Sequence, residues 1–195
     1  MTVTFPLTGE PLALDLLNTL TAEGDLVADP AGLAAWLDAQ GGRLTPVGSA
    51  GPAEVAAVRA VREAARPALA AVRRGERLPA GALAALNGAL AAAPSHRVLA
   101  WTQEGGATAP AHRPADPAPR LAAELAEAVA DLLTDPRVGQ VRACEAHDCV
   151  LLFLPAHPRR RWCVASVCGN RARVARYYAR HKGDQPTRGP RGAGT

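Results

Sequence analysis

The sequence CEAHDC at residues 144–149 and the sequence CVASVC at residues 163–168 contain all four cysteines of the chain. Four residues lie between the cysteines of each pair, and thirteen residues separate the two pairs. This pattern is typical of a tetrahedral zinc site, because two short loops each present two thiolates and the segment between them brings the loops together. The spacing therefore predicts one structural zinc ion per chain, with the ligands Cys144, Cys149, Cys163 and Cys168.

Two disulfides or four inert thiols are the alternatives to a zinc site. Disulfides require an oxidising compartment, and the N-terminal sequence does not resemble a secretory signal, because no cationic residue precedes Arg43 and Asp15 interrupts the leucine-rich stretch. No apolar run approaches the roughly 18 residues that span a bilayer. We therefore expect a cytoplasmic protein with reduced thiols and no membrane association. His147 and His157 could act as substitute ligands, but four thiolates already close the shell and leave no position for a catalytic water.

The segments beside the cysteines indicate a small folded module. The sequence VLLFL at residues 150–154 predicts a buried strand, and a helix is predicted from about Ser166, its N-cap, to Lys182. Gly169 would let the backbone approach the metal closely, and Trp162 would shield the metal from water.

The predicted helix has two different faces when its residues are projected at about 100° per residue. One face is apolar and aromatic and carries Val167, Val174, Tyr178 and His181. The opposite face is basic and carries Arg173, Arg176 and Arg180. Arg171 lies at the edge of the apolar face, one turn from the metal, where we expect it to donate to backbone carbonyls and brace the cysteine loop.

Charge is divided unevenly along the chain. Residues 1–136 carry ten arginines and fifteen acidic residues, a net charge of −5, whereas residues 137–195 carry twelve basic and three acidic residues, a net charge of +9. A compact basic module favours nucleic acid, at least without sequence specificity. The candidate nucleic-acid-binding residues are Arg159, Arg160, Arg161, Arg173, Arg176, Arg180 and Lys182. Alternatively, these residues solubilise the module, pair with the acidic body or meet a protein partner.

Residues 5–136 show the signals of a helical domain. Asp29-Pro30 and Asp116-Pro117 each combine an N-cap residue with proline at the first helical position. A long helix is predicted over residues 53–73, where Pro67 should kink or divide it. Pro79 opens a further helix.

The segment between the last two of these helices predicts a minor β element. His96–Thr102 alternates like a strand, and Gly105–Pro119 is interpreted as a loop or a short return strand. The fold class is therefore mainly α, with a helical N-terminal body followed by a small treble-clef-like four-cysteine zinc finger that contains a β-strand or hairpin and a helix. The predicted domains are residues 5–136 for the body, residues 137–182 for the finger and residues 183–195 for a disordered Gly/Pro-rich tail.

The body contains one polar cluster near its first helix, at Asp15, Asn18 and Thr19. These residues could form a ligand pocket, or they could cap a helix and hydrogen-bond between helices. Trp36 and Trp101 are predicted to lie in the core. The chain has no GxxxxGK[ST] or GxGxxG loop, only three serines and no visible nucleophile–base pair, so we expect no enzymatic activity.

Two motifs resemble known families. The string Trp162-Cys163-x4-Cys168-Gly169-Asn170-Arg171, preceded by the first cysteine pair, resembles the CGNR zinc finger family. The sequence LALDLLNT at residues 12–19 and the Trp36-Leu37 helix resemble the helical ABATE domain that usually precedes this finger.

The resemblance implies a stress-induced bacterial transcription regulator. In this interpretation the zinc-stabilised finger contacts DNA, and the helical domain senses a small-molecule effector or forms a homodimer. The alternative is a non-enzymatic protein-interaction module in which zinc is purely structural.

Overall fold

The computed structural model describes residues 5–103 and 105–181 of the chain. Lys182 and the tail predicted to be disordered at residues 183–195 lie outside the described residues. The fold is mainly helical with a few short strands, as the sequence predicts. The elements of the body are the helices α1 (Leu12–Leu17), α2 (Pro30–Ala39), α3 (Pro52–Arg73), α4 (Ala80–Ala92) and α5 (Pro117–Thr134) and the strands β1 (His96–Arg97), β2 (Ala100–Thr102), β3 (Gly106–Thr108) and β4 (Ala111–His112).

Side chains satisfy free N–H groups at the starts of α2 and α3, whereas Asp116, the predicted N-cap of α5, makes no capping hydrogen bond. The Asp29 carboxylate accepts a hydrogen bond from the Gly32 N–H at 2.8 Å, so Asp29 is the N-cap of α2 as predicted. Glu54 reaches back to accept from the Gly51 N–H at 2.8 Å at the start of α3. Pro67 was predicted to kink or divide this helix, and α3 continues through it as one 22-residue helix, so Pro67 does not divide it.

The core lies between α3, α5 and the short helix α1. Their apolar positions recur at helical spacing and are fully buried, for example Leu14, Val58 and Leu125. The indole of Trp36 is also buried in this core, which confirms its predicted place.

A two-stranded arm projects between α4 and α5. Strand β1 pairs with β4 and β2 pairs with β3, both antiparallel, which confirms the predicted strand and its return. Trp101 on β2 is 78% exposed, so its predicted place in the core is wrong. The reason is that, in the described part of the chain, β2 packs against its partner strand and no helix covers it.

The finger begins with a 3₁₀ turn at Val138–Gln140 and contains strands β5 (Arg142–Ala143) and β6 (Leu152–Phe153). A π-helical turn at Ala165–Gly169 leads into helix α6 (Asn170–His181). The predicted strand at residues 150–154 is present but shorter. Ser166 lies within the π-helical turn, after Val164 at the N-cap position, so its predicted capping role is wrong.

The finger is attached to the body along β6. Leu152 and Leu154 pack against the body core, and Val141 is buried within that core. The Leu154 N–H also donates to the Glu10 carboxylate at 2.9 Å. The segment that holds the first cysteine pair is therefore fixed to the helical body by apolar contacts and by a hydrogen bond.

Candidate metal centre and basic helix

The four cysteine sulfurs form one cluster. Their Sγ atoms all lie within 4.8 Å of one another, and all four thiols are free. The resolved separations are 3.8 Å from Cys149 to Cys163, 3.5 Å from Cys163 to Cys168 and 3.8 Å from Cys168 to Cys149. These distances are too long for S–S bonds of about 2.05 Å, so the disulfide alternative does not describe this arrangement.

The cluster has the dimensions of a tetrahedral zinc site. With Zn–S bonds of about 2.3 Å, the corners of a tetrahedron lie about 3.8 Å apart. The observed separations match that value closely enough that the four sulfurs can hold one zinc ion. His147 and His157 are not members of the cluster.

Burial favours the neutral form of two of the four thiols. Burial raises the pKa of the Cys149 thiol to about 11, with the neighbouring Cys144 thiol adding to the shift. Burial likewise raises the pKa of Cys163. Since zinc binds thiolates, a divalent cation would have to supply the charge that stabilises them, and its binding would release protons.

Short backbone contacts set the positions of the cysteines. The Cys144 N–H donates to the Leu151 carbonyl at 2.9 Å, which continues the β5–β6 ladder to the first ligand. The Cys163 N–H donates to the Cys144 Sγ at 3.4 Å and so joins the two cysteine loops. Asp148 adopts a left-handed conformation with φ of 61°, which turns the chain before Cys149.

Trp162 and Gly169 pack together beside the cluster. A Cβ at Gly169 would lie 3.4 Å from the Trp162 ring, which is an ordinary van der Waals contact, so the indole leaves room for a side-chain carbon at this position. Sequence reasoning assigned this glycine to a close approach of the backbone to the metal. The contact with Trp162 does not itself require a glycine at position 169.

Arg171 contacts the metal centre directly. Its Nη2 donates to the Cys168 Sγ at 3.0 Å. Burial raises the pKa of Cys168, but the hydrogen bond from Arg171 and those with the other three cysteines together lower it. The prediction that Arg171 braces the cysteine loop is consistent with this position, but its acceptor is a cysteine sulfur instead of a backbone carbonyl.

Two of the arginines predicted to bind nucleic acid are held within the protein. Arg160 forms an ion pair with the Glu10 carboxylate at 2.7 Å, and its guanidinium lies 4.4 Å from the centre of the Phe153 ring. It also donates to the Cys163 carbonyl at 2.6 Å. Arg161 pairs with Glu145 at 2.5 Å. The predicted nucleic-acid role does not fit the contacts of Arg160, and the charge of Arg161 is already matched.

The other predicted arginines are differently placed. Arg159 is exposed on the loop before the second cysteine pair. Arg173, Arg176 and Arg180, which we call the arginine stripe, lie on α6 and are all exposed. Within residues 5–103 and 105–181, none of these four side chains forms an ion pair with a carboxylate.

The polar cluster of the body is buried and satisfied. Asp15 accepts from Arg43 Nη1 at 2.7 Å, and Asn18 exchanges hydrogen bonds with the Leu152 backbone. The Thr19 hydroxyl donates to the Leu16 carbonyl at 2.7 Å. The three residues are at most 3% exposed. Their contacts favour the hydrogen-bonding interpretation of Asp15, Asn18 and Thr19 over the ligand pocket.

Sequence reasoning missed two ion pairs that hold these elements together. One joins Glu10 to Arg160 between body and finger, and the other joins Arg62 on α3 to Asp25 in a bidentate contact at 2.6 Å. The partners are far apart in the sequence, and no local pattern marks them.

Comparison with known families extends over both parts of the chain. Residues 10–136 match the ABATE family, which is described as "Putative stress-induced transcription regulator". Residues 140–181 match the CGNR zinc finger. No curated protein matches the chain. None of the helices in the described residues is long and apolar enough to cross a membrane.

Proposed function

Because the chain belongs to the ABATE family and carries a CGNR zinc finger, we propose that it is a DNA-binding transcription regulator of the cytoplasm. In this proposal Cys144, Cys149, Cys163 and Cys168 hold the zinc ion, which stabilises the finger and takes no part in catalysis. The finger contacts nucleic acid, and the helical body senses a small-molecule effector or forms a homodimer.

The arginine stripe is the observation that carries the proposal. Its three guanidinium groups lie on one face of α6, because their spacing of three and four residues returns to the same side of a helix. Arg176 and Arg180 donate from Nε to the carbonyls of Ala172 and Arg176, at 3.2 and 3.3 Å. Since no carboxylate pairs with them in the described residues, their charge is available to phosphate groups, as is that of Arg159.

Zinc binding and DNA binding are connected through Cys168. This cysteine lies in the π-helical turn that leads into α6, and Arg171 on the first turn of α6 donates to its sulfur. A zinc ion held by Cys168 would therefore fix the start of α6 and the direction in which the arginine stripe faces.

The alternative function is a protein-interaction module with a structural zinc ion. The pairs Arg160–Glu10 and Arg161–Glu145 favour this alternative, because two arginines of the finger already make contacts within the protein. The two functions differ in one property, because phosphate contacts release counterions and make binding strongly dependent on salt.

A salt titration separates the two functions. Binding of the full chain to a fluorescent duplex of about 30 base pairs is measured by anisotropy over a range of salt concentrations. We expect a plot of log affinity against log salt to be linear, and to lose about 0.9 in slope for each phosphate contact that is removed. The test variant is Arg173→Gln/Arg176→Gln/Arg180→Gln.

A matched control removes the same charge elsewhere. The variant Arg73→Gln/Arg74→Gln/Arg77→Gln changes three exposed arginines of the body and should bind DNA like the parent. Equal slopes for the two triple variants, or no salt-dependent binding by the parent, would remove the regulator proposal and favour the interaction module.

A further inference from the structure

We propose that α6 enters the major groove of B-form DNA, with the arginine stripe on a phosphate wall and the neighbouring aromatic side chains on the base edges. This inference rests on the proposed function and adds to it the form of the nucleic acid and the groove that is occupied.

Helix α6 stands clear of the rest of the described chain. None of its residues is buried, and its neighbour in the fold is the π-helical turn that precedes it. Its twelve residues span about 18 Å. An exposed helix of this length offers its surface to a groove.

Arg171 marks the side of α6 that faces the metal centre, because its guanidinium contacts the Cys168 sulfur. At about 100° per residue, the arginine stripe lies roughly 170° around the helix from Arg171. The stripe therefore faces away from the metal centre. From its first to its last residue it covers about 10.5 Å along the axis, which equals about three base-pair steps of 3.4 Å.

A second exposed surface lies about a third of a turn from the arginine stripe. This aromatic face consists of Val174, Tyr177, Tyr178 and His181. Tyr178 is 67% exposed, and the Tyr177 ring stacks on the His181 ring at 4.1 Å between centroids. An apolar surface of this kind is unfavourable in water.

The two surfaces together fit a groove better than the outside of a duplex. Phosphates on the outer surface could neutralise the arginine stripe, but they would leave the aromatic face in water. In the major groove, thymine methyl groups and base edges can cover apolar side chains while the phosphates of the wall meet the guanidinium groups.

The dimensions of the groove favour DNA over double-stranded RNA. The major groove of B-form DNA is about 12 Å wide and admits an α-helix. The major groove of A-form RNA is deep and too narrow for side chains to read. We therefore expect weaker binding to an RNA duplex of the same sequence.

Groove occupancy is tested by competition. The full chain is bound to a labelled DNA duplex of mixed sequence, and the complex is titrated with methyl green, a major-groove ligand, or with netropsin, a minor-groove ligand. We expect methyl green to displace the protein at concentrations at which netropsin does not. Displacement by netropsin alone, or equal affinity for the RNA duplex, would overturn the inference and leave the proposed function intact. If the parent binds no duplex at any salt concentration, both fail.

The aromatic face is tested separately from charge. The variant Tyr177→Ala/Tyr178→Ala keeps every arginine, so we expect affinity for DNA to fall about tenfold while the salt slope stays unchanged. The control is Leu99→Ala/Trp101→Ala, which removes two exposed apolar side chains from the arm and should have no effect. Zinc content and helical circular dichroism report whether each variant is folded. Folded Tyr177→Ala/Tyr178→Ala protein that binds like the parent would contradict insertion of α6.

Discussion

The side-chain amide of Asn18 makes two hydrogen bonds with the backbone of Leu152. Its Nδ2 donates to the Leu152 carbonyl at 2.9 Å, and its Oδ1 accepts from the Leu152 N–H at 2.8 Å. The amide thus acts as a single-residue extension of the β5–β6 sheet, although Asn18 belongs to the end of α1. This contact joins the helical body to the strand that precedes the second cysteine pair.

The first prediction concerns this junction. The variant Asn18→Ala leaves both polar groups of Leu152 without their partner in a poorly hydrated position, so we expect the free energy of unfolding to fall by about 2–4 kcal/mol. Urea denaturation followed by circular dichroism measures the change. The control is Asn87→Ala on the exposed side of α4. If the two variants are equally stable, the junction between Asn18 and Leu152 does not support the fold.

The second prediction concerns the buried ion pair of the body. Arg62 is 1% exposed and is held by the carboxylate of Asp25, whose pKa is lowered by the hydrogen bonds from Arg62. We expect Asp25→Asn to destabilise the protein by about 3–5 kcal/mol, because it leaves the buried guanidinium with only the exposed Glu63 carboxylate, at 3.6 Å. The exposed pair Arg74–Glu76 provides the control variant, Glu76→Gln, which should change stability little.

The same ion pair predicts a pH dependence. Because the pKa of Asp25 is lower in the folded state, its contribution to stability is complete above the ordinary value of about 3.9 and is lost as the pH falls towards the folded pKa. The difference in melting temperature between the parent and Asp25→Asn should therefore shrink below about pH 4. A difference that stays constant down to pH 3 would show that Asp25 does not titrate in this way.

The third prediction concerns zinc. Protein that is purified without a chelator should contain one zinc ion per chain, and Cys168→Ser should lose the ion together with the helical signal of α6, because binding energy at such a site is folding energy. Metal analysis and circular dichroism measure both quantities. The control is Ser166→Ala, which changes a residue of the same turn outside the ligand set. Full zinc content in Cys168→Ser would contradict the four-cysteine site.

The fourth prediction separates the roles of two arginines on α6. Arg171→Gln removes the donor to the Cys168 sulfur, so we expect about 10–100-fold weaker zinc binding. Arg176→Gln removes one member of the arginine stripe, so we expect normal zinc binding and a shallower salt slope for DNA. Zinc competition with a chromophoric chelator and DNA anisotropy are measured on both variants. Identical profiles would show that the two positions do not have separate roles.

The sequence predicted the parts of this structure that depend on local signals. The cysteine spacing predicted the cluster, and the Asp-Pro and Pro signals predicted the helix starts. The environments of two other residues depend on tertiary contacts that no local pattern shows. Trp101 is a large aromatic residue of the kind found in cores, but it is exposed because β2 packs against its partner strand instead of a helix. Arg160 resembles its neighbours in the basic run, but a glutamate 150 positions earlier in the chain neutralises it.

The central claim is that a zinc-stabilised finger contacts DNA, and the most direct test measures DNA affinity as a function of zinc. The dissociation constant for a duplex is determined for the zinc-loaded protein, for the same protein after removal of zinc with a chelator under reducing conditions, and after zinc is restored. The account predicts that binding is lost with zinc and returns with it, because the ion fixes the start of α6. DNA binding of equal affinity in the zinc-free protein would contradict the account.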